Sequence, residues 1–256
     1  MGTQLLQLHD VSLSFQGISA LNSLSFEVAK GEICALIGPN GAGKSSLLNV
    51  INGVYRADAG DVVFDGVRFE RIHPYKAAHL GIGRTFQHNA LFGRLSVIEN
   101  VLAGLARHGR ATFVENIFRV GRDPAERRRF RARAERILAF LELERHAATV
   151  VATLPYGVQK RVDLARALVA EPKLLLLDEP MAGMNQEEKR EMSRFVAGVN
   201  AELGTTVVLI EHDVGIVMDL AHHVVVLDYG RKVADGAPED VRINPDVIAA
   251  YLGTVH

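Results

Sequence analysis

The feature that most constrains the fold is a phosphate-loop pattern near the N-terminus. It reads Gly38, Pro39, Asn40, Gly41, Ala42, Gly43, Lys44 and Ser45, and Ser46 follows. An apolar stretch precedes the pattern and a helix-like stretch follows it, which is the context in which it indicates a nucleotide site. Its glycines let backbone N–H groups turn toward a β-phosphate, and the helix N-terminus adds positive potential. We predict that these residues bind a nucleotide, with Lys44 at the β- and γ-phosphates and Ser45 supplying a hydroxyl to Mg²⁺.

Length and charge narrow the class of protein. A chain of 256 residues favours one α/β domain, or a core with an inserted lobe, over two independent domains. The net charge of −1 excludes a strongly basic nucleic-acid binder at the level of the whole chain. The single cysteine, Cys34, lies in an apolar stretch and is interpreted as a core residue. With no signal-peptide pattern and no long uncharged apolar run, we expect a cytoplasmic location.

Alternating apolar and polar residues predict short antiparallel strands over residues 5–29 and a hairpin over 61–69, turning at Asp65-Gly66. Phe15 ends one of these strands. Its ring is either a core aromatic or a surface on which a purine stacks. A terminal hairpin is predicted over 224–234.

Helical periodicity replaces the strand pattern between about residues 90 and 150. Asp123-Pro124-Ala125-Glu126 carries the signals of a helix start. One face of this helix is apolar: Phe130, Ala134, Ile137, Leu138 and Leu141. The opposite face carries Arg127, Arg128, Arg131 and Glu135. This basic face is a solvated surface, a contact for lipid headgroups or a contact for RNA.

Polar residues follow two apolar strands that the pattern assigns to one parallel sheet. Asp178 and Glu179 come after four leucines, and His212 follows the strand predicted over 205–210. We expect Asp178 to bind Mg²⁺, Glu179 to deprotonate the attacking water, and His212 to donate to the γ-phosphate. Gln87 follows the end of a further apolar strand. It is either an ordinary loop residue or an amide placed to contact Mg²⁺ and to sense the γ-phosphate.

In this order the motifs resemble those of the ATP-binding subunits of ABC transporters, over essentially the whole chain. The resemblance makes Phe15 an adenine-stacking residue, Gln87 the Q-loop, Asp178 and Glu179 the end of Walker B, residues 182–185 the D-loop region and His212 the switch. It places the signature segment, which contacts the ATP of an opposing subunit, at Leu154, Pro155, Tyr156, Gly157, Val158 and Gln159.

The resemblance implies an α/β fold: a P-loop NTPase (RecA-like) core with an antiparallel β lobe and an inserted helical lobe. Residues 1–89 and 150–235 would form the β lobe and core, 90–149 the helical lobe and 236–256 a C-terminal tail. Three segments look like the branched-chain or hydrophobic amino-acid uptake subfamily: Arg84-Thr85-Phe86-Gln87, Ile210-Glu211-His212-Asp213 and Ala250-Tyr251-Leu252-Gly253.

The implied function is ATP hydrolysis with ATP and Mg²⁺, coupled to amino-acid uptake at the inner face of the cell membrane. The implied partners are transmembrane permease subunits, a second ATPase subunit and, indirectly, a substrate-binding protein. No nucleic-acid partner is expected. The alternatives are another substrate or export, a non-transport ABC ATPase acting on nucleic acid or ribosomes, and a purely regulatory ATP-binding module.

The signature segment departs from the family pattern Leu-Ser-Gly-Gly-Gln. Pro155 replaces the serine and Val158 the glutamine. Proline can open a helix, but it has neither a hydroxyl nor a backbone N–H to offer a γ-phosphate. We therefore expect a heterodimer, in which a partner supplies an intact signature, rather than a homodimer.

Overall fold

The computed structural model describes residues 3–85, 91–105 and 124–252. An antiparallel sheet has the order β2-β1-β4-β5. Its strands are β1 (Gln4–Phe15), β2 (Ile18–Ala29), β4 (Ala59–Phe64) and β5 (Val67–Phe69). The strands alternate between buried apolar and exposed polar positions, and the Asp65-Gly66 turn joins β4 to β5. The predicted strand pattern of the N-terminal region is confirmed.

A second sheet has the order β10-β9-β3-β8-β7-β6. Its strands are β3 (Ile33–Ile37), β6 (Ile82–Arg84), β7 (Leu174–Asp178), β8 (Thr206–Ile210), β9 (His223–Asp228) and β10 (Arg231–Gly236). All neighbours run parallel except β9 and β10, which form the predicted terminal hairpin. Because β3, β7 and β8 are buried along their whole length, their unbroken apolar runs suit a sheet covered on both faces.

Helices pack against this second sheet. They are α1 (Lys44–Ile51), α2 (Pro74–Leu80), α3 (Val97–Ala103), α4 (Pro124–Phe140), α5 (Tyr156–Leu168), α6 (Gln186–Ala201), α7 (Val214–Leu220), α8 (Pro238–Arg242) and α9 (Pro245–Leu252). Short 3-10 turns occupy Glu144–His146 and Val151–Thr153. In the described ranges, no helix combines the length and apolarity needed to cross a membrane.

Helix α4 confirms the predicted division of its surface. Four of the five predicted apolar residues lie within α4, and Leu141 directly follows it. All five are buried in one cluster with residues of α3, α5 and α6. Arg127, Arg128 and Arg131 are exposed, and the Arg131 guanidinium bonds the Glu135 carboxylate one turn on.

The C-terminal region differs from the expected tail. Residues 238–252 form α8 and α9, and Val241 and Val247 are buried against the central sheet. Each helix begins at a proline followed by an acidic residue, which is a helix-start signal. The sequence carried this signal, but two short helices offer too few turns for apolar periodicity to emerge.

Candidate nucleotide site

The predicted phosphate loop connects β3 to α1. The Lys44 ammonium donates to the carbonyl oxygens of Gly38 at 2.7 Å and Pro39 at 2.8 Å. Burial lowers the pKa of Lys44, and the charges of Glu179 and Asp178 oppose that shift. Gly38 has a φ of 143°, and a Cβ there would lie 2.0 Å from the Leu227 carbonyl oxygen. Only glycine therefore fits at position 38. The loop carbonyls hold the Lys44 ammonium against the backbone of the loop.

Asp178 brings a carboxylate to the first turn of α1. Its Oδ1 lies 3.4 Å from the Ser45 hydroxyl, and the residue is 3% exposed. Oxygen donors from two separate elements suit Mg²⁺, which takes one or two carboxylates and completes its shell with water and substrate phosphates. Within the described ranges, no group of three or more His, Cys, Asp or Glu side chains could hold a metal by itself. The residues present thus fit a cation that arrives with a nucleotide.

Arg84 donates to the second oxygen of the Asp178 carboxylate. Its Nη2 lies 3.0 Å from Asp178 Oδ2, and its Nη1 lies 2.6 Å from Oδ1 of Asn49 on α1. Arg84 belongs to the segment that resembles the uptake subfamily, but its local sequence predicts no role for it. An arginine at the end of a short apolar strand was the available signal, since such a residue is rarely buried without a partner.

Glu179 and His212 meet at the ends of neighbouring strands. The His212 Nε2 lies 2.9 Å from Glu179 Oε1. Glu179 has a φ of 50°, an uncommon conformation for a residue with a side chain, and its N–H donates to the Ile210 carbonyl at 3.0 Å. Parallel strands β7 and β8 therefore bring together the two residues that the sequence assigned to water activation and to the γ-phosphate.

Glu211 fixes the loops that carry this pair. Its carboxylate accepts the N–H of Met181 at 2.8 Å and the N–H of His212 at 3.2 Å. Burial raises the pKa of Glu211, and these hydrogen bonds oppose the rise. Glu211 belongs to a segment that resembles the uptake subfamily, but its local sequence predicts no role for it. Like Arg84, Glu211 has a structural role that depends on contacts with residues elsewhere in the fold, and sequence periodicity does not reveal such contacts.

Phe15 lies at the end of β1 with 42% of its surface exposed. Its ring contacts that of Tyr55 edge to face, with centroids 5.1 Å apart. Phe15 therefore lies outside the buried core and is partly exposed to solvent. Gln87 lies outside the described residues.

The signature segment begins α5. The helix starts at Tyr156 directly after Pro155, which confirms that a proline is compatible with this helix start. Pro155 provides no side-chain acceptor for the first-turn N–H groups, and the Gln159 side-chain amide donates to the Leu154 carbonyl at 2.8 Å. Gly157 packs so closely on α6 that a Cβ would lie 2.5 Å from a Glu188 carboxylate oxygen.

The C-terminal helix reaches the phosphate loop. Tyr251, which is half-buried on α9, hydrogen-bonds the backbone of Gly38. Burial raises the pKa of the Tyr251 phenol, and this bond opposes the rise. The Tyr251 ring packs against the same apolar cluster that contains Ile37, the residue before the loop. The region that was expected to be a tail thus touches the first residue of the nucleotide loop.

Two family models match the sequence. Residues 21–182 match the family described as ABC transporter, and residues 231–256 match the family described as branched-chain amino acid ATP-binding cassette transporter. The second match covers α8 and α9, where the Tyr251 contact lies.

Individual relatives match along the full length. The chain is 37% identical to the high-affinity branched-chain amino acid transport ATP-binding protein BraF of Pseudomonas aeruginosa, covering 99% of both. It is 36% identical to the protein LivG of Escherichia coli, which carries the same description, again over 99% of both. A crystal structure of an ABC-transporter ATP-binding cassette in its ADP conformation superposes with a TM-score of 0.87 at 31% identity, covering 98% of this chain and 99% of the other. These likenesses confirm the predicted fold class.

Proposed function

The chain belongs to the family of ABC transporter ATP-binding subunits, and from that premise we propose that it powers the uptake of branched-chain amino acids. It is an ATPase subunit of the branched-chain type, as its full-length relatives and its C-terminal family match indicate. The ATPase part of the proposal is supported by the meeting of Ser45 with Asp178 and of Glu179 with His212 along one sheet edge, and the amino-acid part by the C-terminal family match. This edge is where α/β sheets bind ligands.

The proposed chemistry assigns one task to each side chain at this edge. Lys44 exchanges the loop carbonyls for phosphate oxygens, and Ser45 and Asp178 hold the cation. Mg²⁺, when bound, offsets phosphate charge in the transition state. Glu179 takes the proton of the attacking water, a role worth about 10²–10⁴ in rate. His212 holds the Glu179 carboxylate in place and donates to the γ-phosphate.

The proposed assembly is a head-to-tail pair of ATPase subunits under a permease at the inner face of the membrane. Each signature segment in such a pair serves the ATP of the other subunit. Pro155 offers that ATP neither a hydroxyl nor an N–H. We therefore favour a heterodimer in which the site built on this chain's Lys44 and Glu179 is completed by a partner's intact signature. Phe15 would stack on the adenine, and Gln87 would face the permease.

Reconstitution tests this function. The chain is co-expressed with its permease and partner ATPase, purified in detergent and placed in proteoliposomes with a substrate-binding protein. We expect ATP-dependent accumulation of labelled leucine, and none when Lys44→Ala replaces the parent chain. Sulfate serves as the control substrate. Equal accumulation of sulfate and leucine, or leucine uptake that ignores Lys44→Ala, would contradict the proposal.

A further inference from the structure

Arg84 joins three elements around the carboxylate of Asp178. It ends β6, bonds Asp178 at the end of β7 and bonds Asn49 on α1. The side chains of Arg84 and Asp178 are only 8% and 3% exposed, so water contributes little to either charge. Burying either charge without a partner would be costly, so each side chain stabilises the other in this position.

Sheet register and helix periodicity explain why these residues meet. Arg84 is paired with Leu176, and Asp178 lies two residues beyond Leu176 on the same face of β7. Ser45 and Asn49 are four residues apart on α1 and therefore share a helix face. The Ser45 hydroxyl on this face contacts Oδ1 of the Asp178 carboxylate. Asn49 on the same face bonds Arg84, and Arg84 in turn bonds Oδ2.

We propose that Arg84 is a positioning residue that orients the Asp178 carboxylate for the cation of the bound nucleotide, an inference that rests on the proposed Mg²⁺-dependent ATPase. By taking Oδ2, Arg84 leaves Oδ1 turned toward Ser45, the other oxygen donor. The planar guanidinium fork bonds Asn49 and Asp178 at a fixed angle, which a lysine ammonium cannot reproduce. The orientation of Asp178 thus depends on the end of β6, three residues before Gln87.

Two substitutions that conserve the charge at this site test the proposal. Arg84→Lys keeps the charge but loses the fork, and Asn49→Ala leaves Arg84 in place but removes the group that holds it. Both are made in the full chain carrying Glu179→Gln, so that ATP is bound without being consumed. ATP affinity is measured in EDTA, and the half-saturating Mg²⁺ concentration is then found by titration at fixed ATP. Arg68→Lys, which alters an Arg–Asp pair in the antiparallel sheet, is the matched control.

We expect both variants to raise the half-saturating Mg²⁺ concentration about three- to tenfold, the range of one ordinary hydrogen bond, because Asp178 keeps a charged partner but loses its fixed orientation. ATP affinity in EDTA should stay within about twofold of the parent, because the phosphate loop is untouched. Arg68→Lys should change neither value.

If ATP affinity fell equally in the presence and absence of Mg²⁺, Arg84 would have only a structural role in its ion pair with Asp178, and the proposal would be overturned. An unchanged or lower half-saturating Mg²⁺ concentration would do the same. Should Arg84→Lys fold poorly, Asn49→Ala decides. Failure of the proposed function has a different result, because the parent chain itself would then show no Mg²⁺-dependent ATP binding.

Discussion

Lys44 is the residue on which nucleotide affinity depends most directly. Its ammonium already forms two bonds to loop carbonyls, so phosphate oxygens replace existing contacts rather than ordering a free side chain. Lys44→Ala removes two charge-assisted hydrogen bonds and should weaken ATP binding by about 10²-fold or more. Calorimetric titration measures this, with Lys76→Ala on the exposed side of α2 as control. Binding within a few fold of the parent would show that the lysine does not reach the phosphates.

The sequence predicted those site residues whose position follows from chain order alone. Lys44 follows a strand, and Asp178 and Glu179 follow another, so their convergence needs only the rule for parallel sheets. Arg84 and Glu211 were missed because their partners lie on other elements. The hydrogen-bond partners of an arginine or a glutamate depend on strand register. No local sequence pattern encodes that register.

At the scale of elements, β9 is tied to its neighbours through His223. Its Nε2 lies 2.5 Å from Asp235 on β10, and Glu32 and Cys34 contact it from the chain around β3. The hydrogen bond to Asp235 is the main cause that raises the pKa of His223 from 6.5 to about 12. Lys232 shares the Asp235 carboxylate. The folded chain thus holds the charged imidazolium more tightly than the unfolded chain does, and this charge stabilises the fold.

This raised pKa fixes the sign of a pH effect. The contribution is complete below pH 6.5 and is lost as pH rises toward 12. One proton accounts for at most ~1.4 kcal/mol of unfolding free energy per pH unit. Urea unfolding at pH 7, 8.5 and 10 should therefore show falling stability in the parent and a flatter profile in His223→Gln. Identical profiles for the two chains would show that His223 does not carry this charge.

Helix α9 is expected to brace the phosphate loop through Tyr251. Tyr251→Phe keeps the ring but removes the bond to Gly38, a loss of about 0.5–1.5 kcal/mol, or roughly two- to tenfold in ATP affinity. Hydrogen exchange of the peptide covering residues 38–45 should accelerate in the same variant. Tyr75→Phe, at a tyrosine 72% exposed on α2, is the matched control. Unchanged exchange in the loop would mean that α9 packs beside the loop without supporting it.

The elements themselves were predicted where a pattern was long enough to repeat. The alternation of apolar and polar residues over 5–29 and the apolar face of α4 each span several repeats, and both predictions were confirmed. Helices α8 and α9 were not predicted, because five and eight residues barely complete one or two turns. Their burial comes from packing on the central sheet, which is a property of the tertiary fold.

At the scale of the whole assembly, Pro155 predicts unequal sites. The site built on this chain is completed by the partner's intact signature. The partner's site is completed by this chain's signature, which contains Pro155, so it should hydrolyse ATP more slowly. In the heteromeric complex, Glu179→Gln should therefore cost more ATPase activity than the equivalent replacement in the partner. Pro155→Ser should raise the rate by restoring a hydroxyl and an N–H. Full activity from the isolated chain, or equal loss from the two replacements, would argue against asymmetry.

The most direct test of the site is to separate binding from turnover at Glu179 in the purified transporter complex. Glu179→Gln keeps the size of the side chain and a contact for His212, but it cannot accept the proton of the attacking water. We predict ATP affinity within about twofold of the parent, a rate at least ~10²-fold lower for the site built on this chain, and ATP retained in a closed dimer on size-exclusion chromatography. Hydrolysis at the parent rate in that site would contradict the assignment of Glu179 as the base and, with it, the proposed mechanism.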